Sequence, residues 1–416
     1  MLTDTLVSHI SGVAPEFQFW LQKATERTFS IAAGNRMGRI APKIMEVGYA
    51  KILYAANELG VDIDGSKSFV FFAPDGTCSL NLERTRRGFA YGGLFSTTFE
   101  GLMGTNNSMP NGCGFSVYML NEEIEDALLL EKIKDAQCRL GEDEIKQLGK
   151  GNHFAAMYKV KDPVSGEDTL QRYLVVHCSG HVGGELLYFP ETWLSEEEGY
   201  HRVDTPHGPI TFLEGEARRR YVAQFRKTEA ANSRNRDKTA EDIFFDLDFR
   251  RIESITHQGL LGDGEFHLIG TQRHDSMAPI AFNPEEGLVA AHYLPNLNSD
   301  FLDRWEHGQR AKDLGLEDEL KNLHLTPHGG GYESRFPVKL LEITLDNKGI
   351  YSFTWQLKER QPMSFPTFRH IREWLTYRRK WEIMRVVAKT AMAKVLFDLE
   401  PLFQVYPIQS VPGGTE

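Results

Sequence analysis

The sequence predicts an α+β fold, built as one large domain over residues 1–416 with mixed sheets. Three observations carry this expectation. Apolar strand-like runs and amphipathic helical stretches alternate along all 416 residues. No internal repeat, low-complexity tract or shift of composition marks a linker. With 41% hydrophobic and 25% charged residues, the chain has the profile of a packed globular protein and not of a disordered one.

Taken in order, Ile44, Val47, Ile52, Leu53 and Leu59 fall near one face, so residues 41–62 are expected to be helical. Ser68 to Ala73 reads as a buried strand, closed by a turn at Pro74-Asp75-Gly76. Arg84-Thr85-Arg86-Arg87 is a basic cluster, a solvated face unless it meets phosphate. Residues 101–114, rich in Gly, Asn, Ser and Pro, form a loop that delivers Cys113 into a strand from Phe115 to Leu120. A charged helix is expected over 121–148. The turn Gly149-Lys150-Gly151-Asn152-His153-Phe154 follows and opens a strand with a histidine at its mouth.

Residues 171–178 read as a strand that ends in His177-Cys178-Ser179-Gly180. Residues 215–236 are a helix dense in arginine, from Arg218 to Arg236. Such residues usually face solvent, but their density leaves phosphate binding open. Residues 239–256 read as helical and lead into Thr256-His257-Gln258-Gly259. A strand at 266–270 comes next, then an apolar pair of segments over 278–294 around a turn at Asn283-Pro284-Glu285-Glu286-Gly287. His328-Gly329-Gly330-Gly331 is a glycine-rich loop, and residues 367–398 are expected to be the last long helix.

No apolar run approaches the roughly 20 residues that span a bilayer, and residues 1–20 lack a basic region followed by an apolar core. Four scattered cysteines do not make a disulfide framework in a chain of this length, so a reducing cytoplasm is expected. The net charge of −11 disfavours a non-specific nucleic-acid binder, yet a local basic groove is compatible with an acidic body.

Cys113, His153, His177 and His257 share one context: each stands at an element end beside Gly, Asn or Ser. A thiolate with imidazoles suits a borderline metal such as zinc, manganese or iron. Were Cys113 to bridge two ions, the pair would clamp both the entering and the leaving oxygen of a phosphoryl group. The competing reading is a buried cysteine and three satisfied histidines. His328 has a different logic, because backbone N–H groups of a glycine loop can cradle phosphate while the imidazole attacks phosphorus.

Together and in order, these segments resemble the RtcB-type RNA ligases, GTP-dependent enzymes of tRNA splicing and RNA repair. The resemblance rests on Gly112-Cys113-Gly114, Gly149 to Phe154, Val175-Val176-His177 with Ser179-Gly180, and Asn235-Arg236. It continues through Thr256-His257-Gln258, Gly270 to Arg273, and His328 to Gly331 with Ser334-Arg335, and is strongest over residues 85–416. It implies mixed sheets around a central metal and nucleotide cleft. Cys113, His153, His177 and His257 would hold two manganese ions. Asn152, Phe154, Gln258, Gly329, Gly330 and Gly331 would contact GTP, and His328 would carry GMP covalently. The partner implied is RNA with broken or spliced tRNA-like ends, and the need for an activating protein is left open.

The chain departs from the family at five places. Pro110 stands where an aspartate ligand is expected, Ala156 where a glutamate is, and Pro412 where a lysine contacts guanine. The phosphate loop becomes Asn283 to Gly287 with Glu285 and Glu286, and the arginine after Ser179-Gly180 is missing. Most of these groups serve the nucleotide or the second metal. The alternatives are therefore a metal-dependent phosphoesterase, or a non-catalytic RNA-binding relative that has lost nucleotidyl transfer.

Overall fold

The computed structural model describes residues 10–32, 34–97, 99, 101–104, 108–139, 153–162, 165–179, 183–274, 277–294, 299–334, 338–357 and 360–405. Its architecture is α+β, organised on one eleven-stranded sheet. The strands are β1 (Thr28–Ser30), β2 (Phe69–Thr77), β3 (Tyr91–Ser96), β4 (Cys113–Leu120), β5 (Phe154–Lys161) and β6 (Asp168–Cys178). They continue as β7 (Phe249–Leu261), β8 (Phe266–Ile269), β9 (Ala278–Ala281), β10 (Leu288–Tyr293) and β11 (Ala393–Val405). The spatial order is β1-β2-β3-β8-β7-β4-β6-β5-β11-β10-β9. Only the β1–β2 pair is parallel, so the sheet is mixed, as expected.

The sheet curls. Phe29, Phe69 and Phe71 from one end share an apolar cluster with Ile280, Val289 and Ala291 from the other. The segment Leu325 to Ser334 ties the two ends together. Ala281 N–H donates to His328 O at 2.9 Å and Gly330 N–H to Ala281 O at 3.0 Å, while Tyr332 and Thr77 exchange two hydrogen bonds of 3.0 Å. The three helices that matter below are α1 (Arg36–Glu58), α2 (Gly215–Ile243) and α3 (Lys380–Thr390). Helix α1 starts earlier than its apolar spacing suggests, because Asn35 Oδ1 caps it by accepting from Gly38 N–H at 3.0 Å.

Three sequence expectations are corrected. Pro74-Asp75-Gly76 is not a turn but part of β2, where the register with β3 slips between Phe72 and Thr77. Glycine at 76 is required there, since a Cβ would press on Ala32 and Phe72. Residues 239–256 are not one helix: α2 ends at Ile243 and β7 begins at Phe249. Pairing with both β4 and β8 overrides local preference, helped by the β-branched Ile252, Ile255 and Thr256. Residues 367–398 divide into a 3-10 turn (Phe368–Trp374), a short strand (Leu375–Tyr377), α3 and β11. Ala391 adopts a left-handed conformation that stops α3, and β11 is then fixed between β10 and β5. The charged helix is seen over Asp126–Arg139, and its expected continuation lies outside the described residues.

Candidate active site

The sheet places the predicted ligands on adjacent strands. Cys113 opens β4, His153 immediately precedes β5, His177 is one residue from the end of β6, and His257 lies late in β7. The order β7-β4-β6-β5 brings these four together although they span more than 140 residues of sequence. Register sets the depth: Phe115 pairs with His177, and Cys113 with Gln258.

Cys113 Sγ lies 3.3 Å from His177 Nε2 and 3.4 Å from His153 Nε2, and His177 Nε2 lies 3.3 Å from His257 Nε2. Cys113, His177 and His257 form a buried group whose ligand atoms all fall within 4.8 Å of one another. His153 touches the same sulfur without joining the three. The ring of Phe115 floors the group, 4.5 Å from His177 and 5.1 Å from His257 between centroids.

These separations fit a metal ion. Tetrahedral coordination with bonds of about 2.3 Å to sulfur and about 2.0–2.1 Å to nitrogen separates S from N by about 3.6 Å and N from N by about 3.3 Å. His257 Nδ1 is buried with no hydrogen-bond partner among the described residues. Burial, then the neighbouring Cys178, pushes the Cys113 thiol up to about 12, against a pull downwards from Arg236. Burial, then His328 and His177, holds His257 well below the ordinary imidazole range. Both groups are therefore neutral at neutral pH, and a cation binding here displaces the thiol proton.

His328 stands against this group, its ring centroid 4.8 Å from that of His257. Asp75, wholly buried, grips it with one oxygen. Asp75 Oδ2 meets His328 Nδ1 at 2.6 Å and accepts from the backbone N–H of His328 at 2.9 Å and of Gly329 at 3.4 Å. With the carboxylate on Nδ1, the tautomer that donates there leaves the Nε2 lone pair available. Sequence reasoning missed Asp75, which it assigned to a turn.

The glycines after His328 serve close packing. A Cβ on Gly329 would lie 2.6 Å from Ala281 O, and one on Gly331, whose φ is +66°, 2.6 Å from Asp75 O. The N–H groups of Gly329 and Gly330 are engaged by Asp75 and Ala281, so they do not form the open row of phosphate donors expected. Arg378, buried, clamps the loop from behind through Gly330 O and Gly76 O.

Of the other expected nucleotide contacts, Gln258 is fixed at both ends: Nε2 donates to Met109 O at 2.9 Å and Oε1 accepts from Tyr91 at 3.2 Å. Phe154 packs on His177 with centroids 5.5 Å apart. Asn152, with Gly149 to Gly151, Gly180, Arg335 and Pro412, lies outside the described residues. Ala156 lies within the apolar cluster of Phe115 and Phe154, so no carboxylate reaches the group from there. Asn111 Oδ1 accepts from Cys113 N–H at 3.0 Å. Arg84 is buried and holds the loop before Cys113 through Ser108 O, Met109 O and the Tyr91 hydroxyl, so it is not the solvated residue its sequence suggests.

On α2 the arginines are largely matched by carboxylates: Arg218 by Glu265, Arg219 by Glu216, Arg220 by Glu198 and Arg226 by Asp263. Arg236 turns inward and donates to Ser116, Ser254 and Cys178 O. Among the described residues, no helix is long and apolar enough to cross a membrane. Comparison with protein-family models and with curated proteins finds no match to this chain.

Proposed function

We propose that the chain is a divergent RNA ligase of the RtcB type. It joins an RNA 3′-phosphate or 2′,3′-cyclic phosphate end to a 5′-hydroxyl end through a histidine–GMP intermediate, with GTP and manganese. The observation that carries this reading is His328, held through Nδ1 by buried Asp75 at 2.6 Å and set against the Cys113–His177–His257 group.

In this reading Nε2 of His328 attacks the α-phosphorus of GTP, the bond to the β-phosphate oxygen breaks, and pyrophosphate leaves. The Asp75 carboxylate at Nδ1 balances the positive charge that the ring acquires. An oxygen of the RNA 3′-phosphate then takes the guanylate from His328, and the 5′-hydroxyl displaces GMP to seal the strand. Manganese held by Cys113, His177 and His257 would supply Lewis-acid stabilisation of phosphate charge, and His153, beside the same sulfur, would serve a second ion. The test is labelling with α-labelled GTP and manganese. A covalent adduct that is lost in His328→Ala is expected, and a wild-type protein that never labels with any nucleotide refutes the ligase.

A second reading draws on the N–H groups of Gly329 and Gly330, which are engaged by Asp75 and Ala281 and so are not free to cradle a triphosphate. These favour a metal-dependent phosphoesterase that opens an RNA cyclic phosphate without nucleotide. Turnover that needs metal but no GTP, and stops on chelation, distinguishes it.

A further inference from the structure

Among the described residues, helix α3 carries a stripe in which aromatic rings lie against cations that meet no carboxylate, and it begins beside the His328 loop. Residues 378–394 contain six Lys or Arg against one Glu, in a protein of net charge −11. Within them, Trp381, Arg385 and Lys389 recur every fourth residue of α3 and so share one face. The Trp381 side chain is 59% exposed, which is unusual for the largest apolar ring. The Arg385 guanidinium lies 5.4 Å from its centroid, and Lys389 Nζ lies 5.4 Å from the ring of Trp305. The stripe therefore runs aromatic, cation, cation, aromatic.

Trp305 is half-buried and packs against the apolar cluster and Phe301, 6.1 Å between centroids, whereas Trp381, Arg385 and Lys389 stand exposed. Arg385 and Lys389 are exposed and meet no carboxylate among the described residues. Their neighbours differ: Arg379 faces Glu285 and Glu286 at 3.8 and 3.9 Å, and Lys380 pairs with Asp398 at 2.9 Å. The arginines of α2 are likewise mostly paired with carboxylates. Charge on α3 is thus balanced near its start and left free along the stripe.

The stripe is also close to the candidate nucleophile. Arg378 N–H donates to Gly331 O at 3.0 Å and Arg378 Nη1 to Gly330 O at 3.2 Å. Trp381 follows three residues later, so its Cα is at most about 11 Å from that of Arg378.

We propose that Trp381, Arg385, Lys389 and Trp305 form a landing surface for single-stranded RNA that leads to His328. Bases stack on the indoles, which is tolerant of sequence because every base has a π-face, and the two cations meet the phosphates between them. The proposal rests on the ligase reading for its substrate but adds a surface outside the chemical site. A polyanion with stacking bases is favoured over an acidic protein segment because the two cations lie between two aromatic rings.

The experiment measures fluorescence anisotropy of a labelled single-stranded RNA ending in a 3′-phosphate, titrated with the full-length chain over a range of salt. Trp381→Ala is expected to weaken binding about ten-fold, with the salt dependence unchanged. Arg385→Gln with Lys389→Gln is expected to lower the slope of log affinity against log salt by about 1.4, near 0.7 per lost phosphate contact. All three residues are on the surface, so far-ultraviolet circular dichroism should match wild type. Variants that bind RNA like wild type overturn the proposal, as does a wild type that binds an acidic peptide but not RNA. The two claims separate cleanly. A His328 adduct with unaffected RNA binding in the variants leaves the ligase and removes this surface. Impaired binding without any adduct leaves the surface and removes the ligase.

Discussion

Replacing Asp75 with asparagine tests the candidate nucleophile most directly. The shape is kept, but the full negative charge beside His328 Nδ1 is lost. Three groups now meet Asp75 Oδ2: the ring at 2.6 Å and the N–H groups of His328 and Gly329 at 2.9 and 3.4 Å. An amide oxygen can still accept from the backbone, so the loop should remain folded. What disappears is charge assistance to a ring that becomes cationic when Nε2 bonds to phosphorus. Hydrogen bonds to charged groups contribute about 1.5–3 kcal/mol against about 1 for neutral ones, and the buried setting favours the upper end. The difference, about 1–2 kcal/mol, slows adduct formation roughly 5- to 30-fold. The assay is single-turnover transfer of label from α-labelled GTP to protein, with metal affinity measured alongside. Metal affinity should be unchanged, because Asp75 is not in the Cys113–His177–His257 group. If Asp75→Asn labels at the wild-type rate, the assignment of His328 Nε2 as an oriented nucleophile is wrong.

Cys113→Ser should abolish the sulfur-to-metal absorption of the cobalt-substituted protein and weaken metal binding by at least about ten-fold, with His153→Ala milder because His153 stands outside the group of three. Gly48→Ala should cost about 1–3 kcal/mol of stability, read from the urea midpoint, since a Cβ there would overlap the Gly88 carbonyl where α1 meets the turn after Arg87. Stability should also fall with acid through His267, which burial holds at about 3, stacked on Phe95 at 4.4 Å. Its folded-state value lies below that of the unfolded chain, about 6.5. From pH about 6.5 down to about 3 the unfolded state therefore takes up a proton that the folded state refuses. Each unit of acid costs about 1.4 kcal/mol through this residue alone, and His267→Phe should remove that part of the slope in pH-dependent urea melts.

The strands from Phe69, Phe115, Phe154 and Tyr173 were legible because their apolar runs are buried on both faces, and such runs look alike wherever they occur. The convergence of Cys113, His177 and His257 was legible for a related reason. Cys113 opens its strand, His153 precedes its own by one residue, and His177 and His257 lie one and four residues from the ends of theirs, where side chains of neighbouring strands converge. The order of the strands was not legible, because β7 reaches β4 from 130 residues away and local spacing does not encode that pairing. The same ladder bears on why residues 239–256 looked helical: the segment holds the last turn of α2, a connection, and the start of a strand stabilised from both sides.

Charge shows most clearly where local reading stops. Helix α2 has the denser run of arginine and was the natural phosphate-binding candidate, yet tertiary structure brings Glu265, Glu198 and Asp263 against it and Glu216 pairs with Arg219 within the helix. Helix α3 carries fewer cations, and Arg385 and Lys389 meet rings rather than carboxylates. Net local charge, not the count of basic residues, decides which surface attracts a polyanion, and on α2 it depends on partners 22, 37 and 47 residues away as well as on a neighbour within the helix. Asp75 is the same lesson with the sign reversed. Pro-Asp-Gly normally marks a turn because aspartate bonds its own backbone two residues on. Here the carboxylate is turned instead to His328, 253 residues away in the chain, and that single long-range partner converts a turn signal into part of the candidate catalytic centre.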